Sequence, residues 1–149
     1  MLLISHRGNI VGPDPVWENN PTRVMEVIYA GYDVEVDLWE TDSGYYLGHD
    51  QPKYKIDYWF LINKHLWVHC KHIEVFVNLM QDSYIHCFYH KDDVSLTTKG
   101  YIITEPGKYL GYKSIAAMPE FAPEWDISSA CGVCSDYIVN YETKSKTSI

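Results

Sequence analysis

The sequence predicts an α/β protein whose single domain, residues 1–149, is a compact (β/α)8 barrel of the TIM type with several outer helices shortened or missing. Three observations predict this fold. Eight short apolar runs look like strands, polar or Gly/Pro residues end each run, and helical patterns follow some of them. Because 149 residues shared among eight units leave about 19 each, against about 31 in a typical barrel, full crossover helices do not fit after every strand.

The eight predicted strands are residues 2–5, 32–39, 45–48, 66–70, 84–89, 101–104, 114–118 and 132–141. Period-two alternation is clearest in the second of them, where Val34, Val36 and Leu38 alternate with Glu35 and Asp37. Side chains two residues apart on a strand point to the same side. Both carboxylates are therefore predicted on one face of this strand, with the three apolar side chains on the other.

Helical patterns follow some of these strands. Asn20 and Pro21 have the form of a helix start, with proline in the first turn, and Gly31 is expected to end that helix. A second helix follows residues 66–70, because apolar residues recur at positions 73, 76, 77 and 80. A short helix is predicted at residues 58–63. The connections after the fifth, sixth and seventh strands are too short for full crossover helices.

Composition and charge exclude several classes of protein. The formal net charge of −8 argues against broad binding to nucleic acid, which needs a basic face. There is no run of 18 apolar residues, so no membrane span is expected. The first residues lack a basic region followed by a long apolar stretch, and we therefore expect no signal peptide and a cytoplasmic protein.

The cysteines provide one C-x-x-C motif, Cys131 to Cys134, besides Cys70 and Cys87. A zinc site would need a second pair at ligand spacing, and a redox site would need the motif to open a helix near the N-terminus. We therefore expect four reduced, mostly buried thiols.

Chemically versatile side chains lie on the first four predicted strands or directly after them. They are His6 and Arg7 after the first, Glu35 and Asp37 on the second, His49 after the third, and His69 and Lys71 on the fourth. In a parallel barrel the carboxyl ends of the strands converge at one mouth, so these groups should meet. Two carboxylates on one face repel each other unless a cation joins them, and a divalent metal does this with hard oxygen ligands.

This combination of groups suits cleavage of a phosphodiester. A metal would polarise a phosphoryl oxygen, and Arg7 and Lys71 would stabilise negative charge on the phosphate. One of the histidines His6 and His49 would deprotonate the nucleophile, and the other would protonate the leaving alkoxide.

The same residues resemble the motifs of the glycerophosphodiester phosphodiesterase family. The matching residues, in order and spacing over residues 1–52, are His6-Arg7-Gly8, Glu18-Asn19, Ala30-Gly31, Val34-Glu35-Val36-Asp37, Gly44 and His49-Asp50. The resemblance implies a metal-dependent (β/α)8 barrel of the phosphatidylinositol-phospholipase-C-like type. It also implies that His6 and His49 are the acid–base pair, that Glu35 and Asp37 bind the metal, and that Arg7 contacts phosphate.

The resemblance also implies roles for Glu18 and the fourth strand, and the chain departs from the family on that strand and in a shorter segment after His49-Asp50. Glu18 is expected near the site, where it orients Arg7 or the metal shell. On the fourth strand the family usually has Glu as a third metal ligand, followed two residues later by Lys; this chain keeps Lys71 and has His69 in the place of the Glu. We expect His69 to be the third ligand, with Mg²⁺ or Ca²⁺ as the metal and Mn²⁺ as a further candidate.

Several alternatives remain open from the sequence. A non-catalytic binding or assembly protein on the same barrel, or a lyase or transferase that forms a cyclic phosphate, would carry the same motifs. The expected partner is a small phosphodiester, and the missing outer helices favour a homo-oligomer. Further candidates for the mouth are Asp136, Glu105, Glu120 and His90 with Asp92 or Asp93, whereas His65 and His72 are expected to be incidental. The polar tail, residues 143–149, is expected to fray.

Overall fold

The computed structural model describes residues 1–92 and 94–142. Two predictions, Asp93 at the mouth and a frayed tail at residues 143–149, fall outside this part of the chain. The described strands are β1 (Leu2–His6), β2 (Asp33–Thr41), β3 (Gly44–Leu47), β4 (Tyr54–Ile56), β5 (Leu66–Cys70), β6 (Cys87–Tyr89), β7 (Val94–Leu96), β8 (Ile102–Thr104), β9 (Ser114–Ala117) and β10 (Gly132–Ser135). The described α-helices are α1 (Pro21–Tyr29) and α2 (Ile73–Leu79), and short 3-10 helices lie at Tyr58–Ile62, Pro119–Phe121 and Ile138–Tyr141.

The strands form one curled, half-barrel sheet in which parallel and antiparallel pairs are mixed. Along its main path the order is β4-β3-β2-β1-β10-β9-β8-β7, while β5 pairs with β2 and β6 pairs with β5. Parallel pairing joins β6, β5, β2, β1, β10, β9 and β8, whereas β3, β4 and β7 run antiparallel to their neighbours. The carboxyl ends of the parallel strands therefore meet at one edge of the curl.

The predicted (β/α)8 barrel of the TIM type is wrong. Such a barrel needs about eight helices that alternate with parallel strands, whereas the sheet is mixed and residues 1–92 and 94–142 form two α-helices. The short chain is the physical reason. Residues 105–113, for example, join the parallel strands β8 and β9 as a loop that is too short to include a crossover helix.

The predicted third barrel strand, residues 45–48, is instead the returning arm of a hairpin. β3 runs antiparallel to β2, and the backbone N–H of Gly48 donates to the carbonyl oxygen of Asp37 at 3.1 Å. The hairpin thus carries the chain back to the level of Asp37. His49 therefore reaches the edge where the parallel strands end, although the strand before it is not one of them.

Other strand boundaries also differ from the prediction. Residues 84–89 shorten to β6, and residues 132–141 end as a strand at Ser135 before the 3-10 helix at Ile138–Tyr141. The sequence does not predict β4 or β7, because a strand of three residues carries too little alternation to be recognised.

Local signals in the sequence explain α1. The side-chain oxygen of Asn20 accepts hydrogen bonds from two backbone N–H groups of the first turn, and proline occupies the first helical position. Val24 and Val27 are buried, and Gly31 follows the helix with a φ of +102°, a conformation that other residues adopt less readily. In the part of the chain that the structure describes, no helix is long and apolar enough to cross a membrane.

Apolar side chains form separate clusters on the two faces of the sheet. Val34, Val36 and Leu38 of β2 are fully buried in the larger cluster, on the side that α1 and α2 cover. A smaller cluster contains Phe88 and Cys134, which share a pocket with the two carboxylates of β2. The predicted alternation on β2 is therefore confirmed, and it directs its acidic residues into the curl.

Candidate active site

The curl of the sheet encloses a pocket of about 260 Å³ at the carboxyl ends of the parallel strands. It is lined by six of the eight predicted site residues, His6, Arg7, Glu35, Asp37, His49 and His69, and by Phe88, His90, Ile103, Glu105, Ala117, Met118 and Cys134. The other two, Lys71 and Glu18, contact lining residues. Nζ of Lys71 is 3.5 Å from Oδ1 of Asp37, and Oε2 of Glu18 is 3.4 Å from Nη1 of Arg7. The fold therefore gathers all eight residues without the predicted barrel.

Strand register explains how the two carboxylates meet two of the histidines. His6 on β1 pairs with Glu35, and His69 on β5 pairs with Asp37. Glu35 and Asp37 lie on one face of β2 and are only 5% and 1% exposed. Two buried carboxylates this close repel each other unless cationic groups lie between them.

Both carboxylate oxygens of Asp37 are contacted by nitrogen atoms. Oδ1 lies 3.1 Å from Nδ1 of His69 and 3.5 Å from Nζ of Lys71. Oδ2 accepts a hydrogen bond of 2.9 Å from Nδ2 of Asn19 and lies 3.2 Å from Nε of Arg7. Burial by itself raises the pKa of Asp37, but hydrogen bonds from two histidines and the charges of the nearby cations outweigh it and hold the pKa well below its usual range.

Glu35 differs from Asp37 because one of its oxygens has no hydrogen-bond partner among the described residues. This oxygen, Oε2, is buried and lies 3.7 Å from Nε2 of His6, while Oε1 lies 3.8 Å from Nδ1 of His69. Burial and the charge of Asp37 raise the pKa of Glu35. A buried carboxylate oxygen without a hydrogen-bond partner is the kind of atom that a bound cation satisfies.

Glu35, Asp37 and His69 form a group of potential metal ligands. One ligand atom from each lies within 4.8 Å of the others. The imidazole of His69 stacks on Phe88, with ring centroids 5.0 Å apart and planes inclined by 7°. This stacking fixes the ring so that Nδ1 faces both carboxylates. Two carboxylates and one imidazole are a donor set that divalent cations use in proteins.

His6 is oriented by Asp136. Its Nδ1 lies 2.7 Å from Oδ1 of Asp136, and the same oxygen accepts a hydrogen bond of 2.8 Å from Nδ2 of Asn9. With Nδ1–H donating to this carboxylate, Nε2 faces Glu35 and the pocket. Burial lowers the pKa of His6, but the hydrogen bond to Asp136 and the charge of Glu35 outweigh it, so the pKa is raised. A ring fixed at one nitrogen can exchange a proton at the other.

His49 lies at the rim, where its side chain is 43% exposed. Its Nδ1 is 3.6 Å from Oδ2 of Asp37, and its Nε2 is 3.4 Å from Nη2 of Arg7. On its other side His49 lines a second pocket of about 220 Å³, together with Pro15, Glu18, Gly48, Asp50, Gln51 and Lys53. His49 therefore separates a polar pocket from the main one.

Arg7 adopts a left-handed backbone conformation that residues other than glycine rarely take. Its φ is +58°, and two other residues at the site, Asn19 and Met118, have φ values of +61° and +49°. The backbone N–H of Arg7 donates to the carbonyl of Glu35, and its carbonyl accepts from the N–H of Asn19, both at 2.9 Å. Such local strain concentrates at functional sites, where surrounding contacts maintain it.

Sequence reasoning found Asp136 only as a candidate mouth residue and did not find Asn9 or Asn19 as part of the polar network. Glu120, another candidate for the mouth, does not line the pocket. It accepts hydrogen bonds of 3.0 Å from Oγ of Ser135 and 3.1 Å from the backbone N–H of Asp136, and so supports the loop after β10. Asn19 belongs to the Glu18-Asn19 motif, which was the one sequence signal that could have identified it.

Two further candidates, His90 and Glu105, do line the main pocket. Nε2 of His90 lies 3.4 Å from Oε1 of Glu105, and its Nδ1 contacts Oγ of Ser95 at 2.6 Å. His65 and His72, predicted to be incidental, are not among the residues that line this pocket. His65 contacts Asp33 at 2.8 Å instead.

The cysteines do not provide a nucleophile for the pocket. All four are free thiols, and Cys70, Cys87 and Cys134 are buried. Burial and the surrounding carboxylates raise the pKa of Cys134, the one cysteine among the residues that line the main pocket, well above its ordinary value. Because the thiolate is the reactive form, Cys134 is part of the apolar wall.

Comparisons with known proteins give no relative. The chain has no significant match to a protein-family model, a curated protein or a solved structure. The resemblance to the glycerophosphodiester phosphodiesterases therefore remains a prediction based on the motifs, and the function has to be argued from the geometry of the site.

Proposed function

We propose that this protein is a metal-dependent phosphodiesterase that hydrolyses a small, glycerophosphodiester-like substrate to a phosphomonoester and an alcohol. The observation that carries the proposal is that His6 and His49 line one pocket with Arg7, Glu35 and Asp37. Two proton-transferring groups, a guanidinium and paired carboxylates at one point are what such a hydrolysis needs.

The residues present fit a divalent cation. Glu35, Asp37 and His69 would hold it, and the unpartnered Oε2 of Glu35 is the observation that favours this. When bound, the cation supplies positive charge that polarises a phosphoryl oxygen. Lys71 and Arg7 balance the charge of Asp37, which limits the repulsion between the two buried carboxylates.

Arg7 would bind the phosphate of the substrate. Its guanidinium lies between Asp37, Glu18 and His49, and it lines the pocket. A planar guanidinium held in this way can donate two hydrogen bonds to one phosphate without rearrangement. Phe88, Ile103 and Ala117 give the pocket an apolar wall, and such surroundings of low polarity strengthen these contacts.

Proton transfer would divide between the two histidines. His6, buried and held by Asp136, has the raised pKa of a base and would accept the proton of the nucleophile at Nε2. His49 at the rim would protonate the leaving alkoxide, which could then depart through the polar pocket beside it. Where the substrate carries a neighbouring hydroxyl, His6 would deprotonate that group, its oxygen would displace the alkoxide to give a cyclic phosphate, and water would then open this ring to the phosphomonoester.

Hydrolysis of bis(p-nitrophenyl) phosphate tests the proposal. Purified protein should cleave it in the presence of Mg²⁺, Mn²⁺ or Ca²⁺ and lose activity in EDTA. His6→Ala should reduce turnover of this substrate at least about 10²-fold, which is the usual contribution of an acid or base. His49→Ala should do so with a glycerophosphodiester, because an alkoxide leaving group needs a proton and p-nitrophenolate does not. His65→Ala is the matched control, because it removes a carboxylate-paired histidine outside the pocket.

The product and the controls separate the alternatives. Phosphorus NMR of a glycerophosphodiester reaction distinguishes a phosphomonoester, expected for the hydrolase, from a cyclic phosphate, expected for a lyase or transferase. A folded protein without activity under any metal would contradict the proposal and favour a binding or assembly protein. Near-normal rates in both His6→Ala and His49→Ala would remove these residues from catalysis.

Self-association and location are further parts of the proposal. Val94 and Leu96 of the edge strand β7 are 48% and 66% exposed, and this apolar surface supports contact with a second copy of the chain. Light scattering should show an oligomer, and Leu96→Lys should weaken it. Four free thiols fit a reducing compartment such as the cytoplasm.

A further inference from the structure

We propose that this site selects a first-row transition-metal ion, for which Mn²⁺ is the probe, over Ca²⁺ and Mg²⁺, and that Nδ1 of His69 sets the preference. The inference rests on the metal binding assumed in the proposed function. It goes further by naming the chemical class of the ion and the atom that discriminates.

The donor atoms of the trio are not all oxygens. Ca²⁺ takes six to eight oxygen ligands, and Mg²⁺ also prefers oxygen and keeps much of its water. Imidazole nitrogen instead suits first-row transition metals. In this trio one donor out of three is a nitrogen, since His69 contributes its ring beside Glu35 and Asp37.

The ring of His69 is held in place, so its Nδ1 cannot easily turn away from the carboxylates. Nδ1 of His69 lies 3.1 Å from Oδ1 of Asp37 and 3.8 Å from Oε1 of Glu35. Stacking on Phe88 holds the plane of the ring, and the ring of His90 contacts it edge-on with centroids 6.2 Å apart. An ion that binds both carboxylates therefore meets this nitrogen.

The other carboxylates near the trio have partners of their own, and Glu105, which also lines the pocket, pairs with His90 at 3.4 Å. Glu18 accepts from Asn9 and pairs with Arg7, and Asp136 accepts from Asn9 and His6. The one buried carboxylate oxygen near the trio without a hydrogen-bond partner among the described residues is Oε2 of Glu35. The trio thus offers few carboxylate oxygens and one nitrogen, a ligand that Ca²⁺ and Mg²⁺ bind poorly, whereas a transition metal accepts a mixed nitrogen and oxygen set.

The test measures binding and spectroscopy, so that it does not depend on activity. Chelator-treated full-length protein is titrated with Mn²⁺ while the EPR signal of the free ion is followed, and Ca²⁺ and Mg²⁺ are then added as competitors. Pulsed EPR of the Mn²⁺ complex detects coupling to a ligand nitrogen. His69→Asn is the informative variant, because its side-chain oxygen occupies nearly the position of Nδ1. His65→Asn is the control, since His65 also pairs with an aspartate but outside the pocket.

Mn²⁺ is expected to bind at least about tenfold more tightly than Ca²⁺ or Mg²⁺. His69→Asn should lose both the nitrogen coupling and most of this ratio, and His65→Asn should keep both. If Mn²⁺ binds but Ca²⁺ or Mg²⁺ competes equally, or if the coupling persists in His69→Asn, the inference is overturned while metal-dependent hydrolysis stands. If none of the three ions binds, the inference and the metal-dependent function fall together.

Discussion

Nδ1 of His6 lies 2.7 Å from Oδ1 of Asp136, although 130 positions separate the two residues in the chain. The contact joins the first strand of the sheet to the loop after the last one, because β1 and β10 are parallel neighbours. Asn9 bridges the same carboxylate to Glu18 with hydrogen bonds of 2.8 Å and 3.0 Å. A histidine whose Nδ1 is held by a buried carboxylate keeps one tautomer and one ring orientation, which is the arrangement a general base requires.

Replacing Asp136 with Asn should therefore reduce kcat while it leaves substrate binding nearly unchanged. The amide can occupy the same space, but it loses the charge that stabilises a protonated His6. We expect kcat for bis(p-nitrophenyl) phosphate to fall about 10²-fold, with KM within about threefold of wild type. Steady-state kinetics measures kcat and KM, and thermal unfolding checks that the variant is folded.

Asp126→Asn is the control for this experiment, because it makes the same chemical change on the surface loop before β10. Asp126 is not among the residues that line the main pocket. It should retain wild-type kcat. Unaltered turnover in Asp136→Asn would show that His6 does not depend on this carboxylate.

Replacing Glu35 with Gln should weaken metal binding and raise the stability of the metal-free protein. Burial and Asp37 raise the pKa of Glu35, so its ionised form is unfavourable in the fold, and a neutral amide removes this repulsion. The metal-free variant should unfold at a higher temperature at pH 7.5. Since a ligand is lost, the metal concentration for half-maximal activity should rise at least about tenfold.

Thermal unfolding of the metal-free proteins measures the change in stability, and activity titrated with Mn²⁺ measures the metal concentration for half-maximal activity. Glu26→Gln on the exposed side of α1 provides the matched control, since Glu26 pairs only with Arg23 on the same helix among the described ion pairs. An identical metal response in Glu35→Gln and wild type would remove Glu35 from the set of ligands.

The parts of the candidate site that depend on a pattern within one strand could be predicted from the sequence. Glu35 and Asp37 share a face because strand periodicity is fixed by the backbone itself, and Val34 and Val36 between them mark the buried side. The position of His49 was predicted correctly for the wrong reason. It reaches the pocket through an antiparallel hairpin, and not as the end of a parallel strand.

The remaining contacts depend on pairings between distant segments. Phe88 stacks on His69 because β5 and β6 are neighbours in this register, and no periodicity within either strand encodes that pairing. The prediction of the overall fold also failed because of how distant segments are connected. Eight strand-like runs are compatible with a closed barrel, but the chain between them is too short for the helices that a barrel requires.

Asn19 should stabilise the fold through both its side chain and its backbone. It is fully buried, its Nδ2 donates to Oδ2 of Asp37, and its Oδ1 accepts from the backbone N–H of Asp37, both at 2.9 Å. Its φ of +61° also suits asparagine or glycine better than alanine. We expect Asn19→Ala to lower the free energy of unfolding by about 2–4 kcal/mol.

Asn19→Gly separates the two contributions. Glycine accepts the left-handed conformation but makes neither side-chain hydrogen bond, so its loss in urea unfolding should be smaller than that of alanine by about 1 kcal/mol. Equal losses in both variants would mean that the backbone conformation contributes nothing, and wild-type stability in both would contradict the role of the hydrogen bonds to Asp37.

Stability should fall in mild acid because of His86. The side chain is 4% exposed and contacts Trp67 and Thr97; burial, with the charge of Lys99, lowers its pKa to about 4. The pKa of a histidine in the unfolded chain is about 6.5. Between pH 6.5 and pH 4, roughly, the unfolded state therefore binds more protons than the folded state. The free energy of unfolding then declines as the pH decreases, by on the order of 3 kcal/mol. Urea unfolding measured from pH 7.5 to 4.5 should show that the free energy of unfolding declines less in His86→Gln than in wild type or in the control His65→Gln. Parallel curves for all three proteins would assign the acid sensitivity to other groups.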